Sequence, residues 1–249
     1  MPEGAQPAAK PVQPGASAPL LSVKGVNAWY GESHVLHGVD FDVLPGQVVT
    51  LLGRNGAGKT TTLKSIMGIV PRREGSIVYE GHETIGLSSN RIARLGVAYC
   101  PEERGIFSSL NVEENLLLPP PVADGGMSVD EIYQMFPNLR ERRGSPGMRL
   151  SGGEQQMLAV ARILRTGAKV LLLDEISEGL APVIVQALAR TIRMLRERGF
   201  TIVMVEQNFR FAAPLADRFY VMEHGRIVES FAASELQAKT QLLNEYLGV

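Results

Sequence analysis

Gly53-Arg-Asn-Gly-Ala-Gly-Lys-Thr60 decides the fold, because it matches G-x-x-x-x-G-K-[ST] at every fixed position. The apolar run Val48-Val-Thr-Leu-Leu52 precedes it, and Lys59 to Met67 reads as a helix with Gly68 just past its end. Strand, glycine-rich turn and helix in that order gather backbone N–H groups and a positive helix end around one point. Such a point attracts phosphate. The glycines let oxygens approach the backbone of Gly53, Arg54, Asn55, Gly56, Ala57 and Gly58 without a Cβ in the way. Lys59 would reach the β- and γ-phosphates of a nucleotide, and the Thr60 hydroxyl, followed by Thr61, would hold Mg²⁺. A chance match in a chain of this length is on the order of one in a hundred.

Working outward, Val170-Leu-Leu-Leu173 and Thr201-Ile-Val-Met-Val205 are nearly continuous in apolar residues. That pattern belongs to parallel strands covered on both faces. Helical periodicity over Gln155–Arg165 and Val183–Arg198 alternates with these strands, which predicts an open, doubly wound α/β sheet. Gly75-Ser-Ile-Val-Tyr-Glu-Gly81 reads as a short antiparallel piece at an edge. Residues 108–150 have a different texture and predict a small helical insert. Asn111–Leu118 is amphipathic and Pro119-Pro-Pro121 stops it, before a flexible break at Asp124-Gly-Gly126. Ser128-Val-Asp-Glu131 is a capping box for a helix through about Phe136, which Pro137 ends.

Composition narrows the function. The 249 residues carry 25 Lys+Arg against 26 Asp+Glu, a net charge of −1, which disfavours a nucleic-acid partner. One cysteine, Cys100, excludes an internal disulfide, and the four histidines, His34 and His37 included, show no zinc-ligand spacing. Without a membrane-spanning apolar run or a signal-peptide core, the chain is expected to be soluble and intracellular. Twelve of the first 19 residues are Pro, Ala or Gly, so 1–19 is expected to be a disordered tail ahead of a domain over 20–249.

Asp174-Glu175 closes the Val170–Leu173 strand, putting two carboxylates where such sheets bind ligands. Asp174 is suited to hold Mg²⁺ through water, and Glu175 to polarise an attacking water as general base. Leu150-Ser-Gly-Gly-Glu-Gln-Gln156 opens the next helix through the capping box Ser151-x-x-Glu154. Gly152 and Gly153 cost that helix roughly 1 kcal/mol each against alanine, which makes sense if an anion must approach the backbone.

With both phosphate motifs, this segment resembles the ATP-binding-cassette ATPases over about residues 20–249. The resemblance implies a RecA-like core with an antiparallel β edge and a helical insert, working as a pair that encloses two MgATP. Ser151, Gly152 and Gly153 of one subunit would then face the nucleotide held by Gly53–Thr61 of the other, and Tyr30 would stack on adenine. Ser177-Glu-Gly-Leu180 would lie where the two subunits touch.

Two positions depart from the general pattern. Glu102 stands where most cassettes place a metal-sensing glutamine, and Gln207 where most place a histidine near the γ-phosphate. Pro101-Glu102 and Val205-Glu-Gln-Asn208 resemble the branched-chain amino acid import subgroup, as do Gly179-Leu-Ala-Pro182 and Val112-Glu-Glu-Asn115. Ile176, where the subgroup usually has proline, and Glu178 depart from it.

The subgroup implies an ATP-hydrolysing subunit energising uptake of branched-chain or other hydrophobic amino acids. Its place would be peripheral, on the cytoplasmic face of the inner membrane. Partners would be a distinct sister ATPase, two permease chains and, indirectly, an extracytoplasmic binding protein, with the insert and Glu102–Phe107 receiving the permease. Related importers move urea, amides or aromatic acids. Soluble cassettes of DNA repair carry a long coiled coil where here Ser151 follows Lys59 by only 92 positions, and ribosomal ones usually carry two phosphate loops. A poorly hydrolysing regulator fits Gln207 but not Glu175. If the tail makes no stabilising contact, deleting residues 1–19 leaves the melting temperature unchanged, and a fall of several degrees would show it docked.

Overall fold

A computed structural model describes residues 18–248. The tail expected over 1–19 therefore lies, but for Ala18 and Pro19, outside the described residues. Two sheets organise the rest. A four-stranded antiparallel sheet has the order β2-β1-β4-β5, with β1 at Leu21–Tyr30, β2 at Ser33–Val43, β4 at Arg72–Tyr79 and β5 at His82–Glu83. A six-stranded sheet has the order β10-β9-β3-β8-β7-β6. Its strands are β3 (Val48–Leu52), β6 (Val97–Cys100), β7 (Val170–Asp174), β8 (Thr201–Glu206), β9 (Arg218–Glu223) and β10 (Arg226–Ala232). The three continuous apolar runs are its central parallel strands, and every residue of β3, β7 and β8 is buried.

Period-two alternation sends these strands into different cores. Leu171, Leu173, Ile202 and Met204 face the helices α6 (Gly152–Leu164) and α7 (Pro182–Glu197), which contribute Leu158, Leu164, Leu188 and Ile192. Leu172, Val203, Val205 and Leu51 face the antiparallel sheet and helix α1 (Lys59–Ile66), through Leu63, Ile66, Val39 and Phe41. A third cluster, around Phe219 and Phe231, packs the C-terminal helix α9 (Leu236–Leu247) on the sheet edge. Both faces of the six-stranded sheet are thus covered, as the apolar runs require.

Helix α2 (Ser89–Arg94) leads into β6. Between β6 and β7 lie α3 (Val112–Leu117), α4 (Val129–Met135), α5 (Pro137–Glu141) and α6. Ser128 and Ser151 cap α4 and α6 as expected, each with its glutamate reaching back, and Asn111 with Glu114 does the same for α3. Pro137 does end α4, but it also opens α5 from the N1 position, where its missing N–H costs nothing and its fixed φ favours the turn. Asn115 is fully buried; its amide donates to the carbonyls of Phe107, Leu110 and Asn111 and accepts from the N–H of Phe107. One side chain thereby fixes the loop before α3. The short helix α8 (Phe209–Ala212) follows β8, its first turn capped by Asn208.

Parallel pairing brings Leu52 opposite Glu206 and Asp174 opposite Val205. The C-terminal ends of β3, β6, β7 and β8 consequently share one edge of the sheet. Ligands of such sheets bind along that edge.

Candidate nucleotide-binding site

At that edge an open cavity of about 320 Å³ is lined by Val35, Asn55 to Thr61, Glu102, Glu175 and Glu178. Gly58 caps α1 with φ 103°, a left-handed conformation that L side chains rarely adopt and that glycine takes freely. Gly53 is needed for a different reason: a Cβ there would sit 2.5 Å from the carbonyl oxygen of Met222.

The Lys59 ammonium is buried inside the loop, 3% exposed, and donates to the carbonyls of Gly53 (2.9 Å) and Arg54 (3.2 Å). Its counter-charge is Glu175, with Nζ 2.9 Å from Oε1. Glu175 is buried and adopts φ 46°, a strained backbone for a residue with a Cβ. Burial raises its carboxyl, but hydrogen bonding to Glu178 and to Lys59 outweighs this and holds it below the ordinary carboxylate range. Glu178 moves the other way, raised first by its hydrogen bond with Glu175 and then by burial.

Asp174, fully buried at the end of β7, uses both oxygens: Oδ1 accepts from the Thr60 hydroxyl at 2.8 Å and Oδ2 from the Tyr99 hydroxyl at 2.6 Å. The carboxylates of Glu102, Glu175 and Glu178 offer oxygens lying within 4.8 Å of one another. Every donor here is a hard oxygen, which fits Mg²⁺.

A second, larger hollow adjoins the first at Glu175 and Glu178 and takes in Ser177, Glu206 and Gln207. Gln207 is exposed on its wall. Glu206, 1% exposed, accepts from the Ser177 hydroxyl at 2.8 Å and from the Ser177 N–H at 3.3 Å. Burial pushes its carboxyl up from 4.5 to about 8, with the Glu175 charge adding and Lys59 opposing.

Tyr30, Ser151, Gly152 and Gly153, all expected site residues, stand away from the cavity. Tyr30 is at the tip of the β1–β2 hairpin, 44% exposed, next to Trp29, which stacks on His34 at 4.3 Å and lies under Arg72. Ser151 and Gly152 are exposed at the start of α6. Gly153 has a packing reason as well as the anion reason read from the sequence: a Cβ would come within 2.7 Å of Ile184 on α7.

A family model described as "ABC transporter" matches residues 36–178, which spans the phosphate loop, α6 and the β7 carboxylates. The chain belongs to the ABC transporter family. Its cassette is 44% identical over 92% of this chain, and all of the relative, to the high-affinity branched-chain amino acid transport ATP-binding protein BraG of Pseudomonas aeruginosa. It is 36% identical, over 87% of this chain and 94% of the relative, to a probable branched-chain amino acid transport ATP-binding protein LivF of Archaeoglobus fulgidus. A nucleotide-free ATP-binding cassette superposes with TM-score 0.80 at 21% identity, covering 93% of this chain and 99% of that one. The cassette is therefore an ATPase with the P-loop fold, an antiparallel β edge and an inserted helical region.

Tyr99, Glu206 and the direct Lys59–Glu175 contact were not singled out in the sequence. A charge closing the apolar β8 run was the available signal for Glu206; nothing local marks Tyr99. The raised Glu206 carboxyl makes a signed prediction. Between pH 4.5 and about 8 the unfolded chain has lost this proton and the folded chain keeps it, so stability falls as pH rises, by at most about 1.4 kcal/mol per unit. Glu206→Gln removes this slope: melting curves of variant and wild type converge near pH 4.5 and separate in the variant's favour toward pH 8.

Proposed function

We propose that this cassette is the ATP-hydrolysing subunit of a membrane importer for branched-chain or other hydrophobic amino acids, its ATPase domain spanning 20–249. The solute class rests on likeness to BraG and LivF, whose names state that transport. The reaction rests on one observation: the buried Lys59 ammonium is neutralised by the same carboxylate, Glu175, that faces the phosphate cavity. Phosphate oxygens entering Gly53–Thr61 offer Lys59 a stronger partner than a lone carboxylate. Lys59 turns to them, and Glu175 is released to accept a proton from the attacking water. Gln207 donates its amide toward the γ-phosphate from the neighbouring wall. Thr60, Asp174 and Glu102 would hold Mg²⁺, which when bound neutralises charge on the β- and γ-phosphate oxygens.

The exposure of Ser151 and Gly152, away from their own chain's phosphate loop, supports a second cassette as the partner that meets them. An apolar groove of about 420 Å³ between Met67, Ile69, Ala93, Tyr99, Pro119 and Val122 suits a permease segment, and Phe107 and Leu118 are exposed on the same region of the chain. Among the described residues no helix is long and apolar enough to cross a membrane, so attachment falls to such a partner.

Glu175→Gln is expected to keep ATP binding by calorimetry while hydrolysis drops at least about tenfold; near-normal turnover removes Glu175 from the role of base. Tagged chain purified from detergent-solubilised native membranes should bring two permease chains and a second cassette, identified by mass spectrometry. Recovery of ribosomal or DNA-repair proteins without membrane proteins would overturn the importer reading.

A further inference from the structure

Tyr99 sits on β6 opposite Leu172 of β7, so Asp174 is its diagonal neighbour two residues along, on the face covered by α1. From there its ring spans the gap, and the hydroxyl donates to Asp174 Oδ2 at 2.6 Å. The other oxygen, Oδ1, is left to Thr60 on α1. Without the tyrosine, a carboxylate at the end of β7 could rotate about its last bond and present either oxygen, or both, to the cavity. The Tyr99 ring borders two neighbouring grooves, each of which Pro119 also lines.

We propose that Tyr99 is a positioning residue for the metal side of the site: its hydroxyl occupies one oxygen of Asp174 and thereby aims the other at Thr60 and the metal. This rests on the assignment of Asp174 to Mg²⁺ made above. Thr60 contacts that oxygen from the helix that also carries Lys59, so the same aspartate sets where the first turn of α1 stands.

Tyr99→Phe removes one oxygen atom and keeps the ring in its slot. Calorimetry with a non-hydrolysable ATP analogue, with Mg²⁺ and with EDTA, separates the possibilities for the wild type, Tyr99→Phe, Asp174→Asn and the double variant. The expected result is unchanged affinity for Tyr99→Phe in EDTA and about tenfold weaker affinity with Mg²⁺, the size of one lost hydrogen bond to a charged group. The Mg²⁺ concentration for half-maximal hydrolysis should rise by a similar factor. In the Asp174→Asn background, the Phe substitution should change nothing further. Equal losses with and without Mg²⁺ would show a merely structural role. Wild-type Mg²⁺ affinity in Tyr99→Phe, with a loss in Asp174→Asn, would overturn the positioning role and leave Asp174 in place. An Mg²⁺ response unaffected by Asp174→Asn would instead remove the metal assignment itself.

Discussion

A lysine ammonium 3% exposed has to be neutralised, and in this cassette the Glu175 carboxylate does it. The geometry around that pair follows from the cost of an unpaired charge in a low-dielectric interior. Gly58 adopts a left-handed conformation so that α1 can start directly beneath the loop, and the carbonyls of Gly53 and Arg54 turn inward to share the ammonium. Glu175 accepts a strained φ to reach it. A pairing of this kind ties the phosphate loop to the end of β7, and phosphate oxygens can take the place of the carboxylate.

The sheet makes that replacement consequential. Lys59 follows β3, Glu175 follows β7 and Glu206 closes β8, and these strands are adjacent and parallel, so the three ionisable groups stand side by side. The hydrogen bonds of Ser177 to Glu206 tie the segment after Glu175 to the end of β8, beside Gln207. On the other side, Tyr99 and Thr60 clamp Asp174. A shift of Lys59 toward phosphate is thus felt on both flanks: through Glu175 toward the second hollow, and through α1 toward the metal-side carboxylate.

Much of this was legible in the chain because the informative interactions were local. The phosphate loop, the β7 run with its two acids and the capping boxes at Ser128 and Ser151 each lie within a dozen residues, and spacing alone reads them. Pro137 was read as a stop and is also a start, since a proline at N1 obeys the same sterics that end the preceding helix. Gly153 has a second reason that only the fold shows: Ile184, distant in sequence, needs the space. Tyr99 reaches Asp174 across two paired strands and Ser177, in the turn after β7, reaches Glu206 at the end of β8, and no periodicity announces either contact. Tyr30, assigned to adenine by resemblance alone, stands at an exposed hairpin tip beside the Trp29–His34 stack.

The exchange of partners by Lys59 is the claim on which the mechanism turns. A structure of the chain with a non-hydrolysable ATP analogue and Mg²⁺ tests it most directly. The account predicts Lys59 Nζ on the β- and γ-phosphate oxygens, with the Glu175 carboxylate withdrawn from its 2.9 Å contact and turned toward the γ-phosphate. Phosphates seated in the loop while Lys59 and Glu175 remain at their present distance would contradict it.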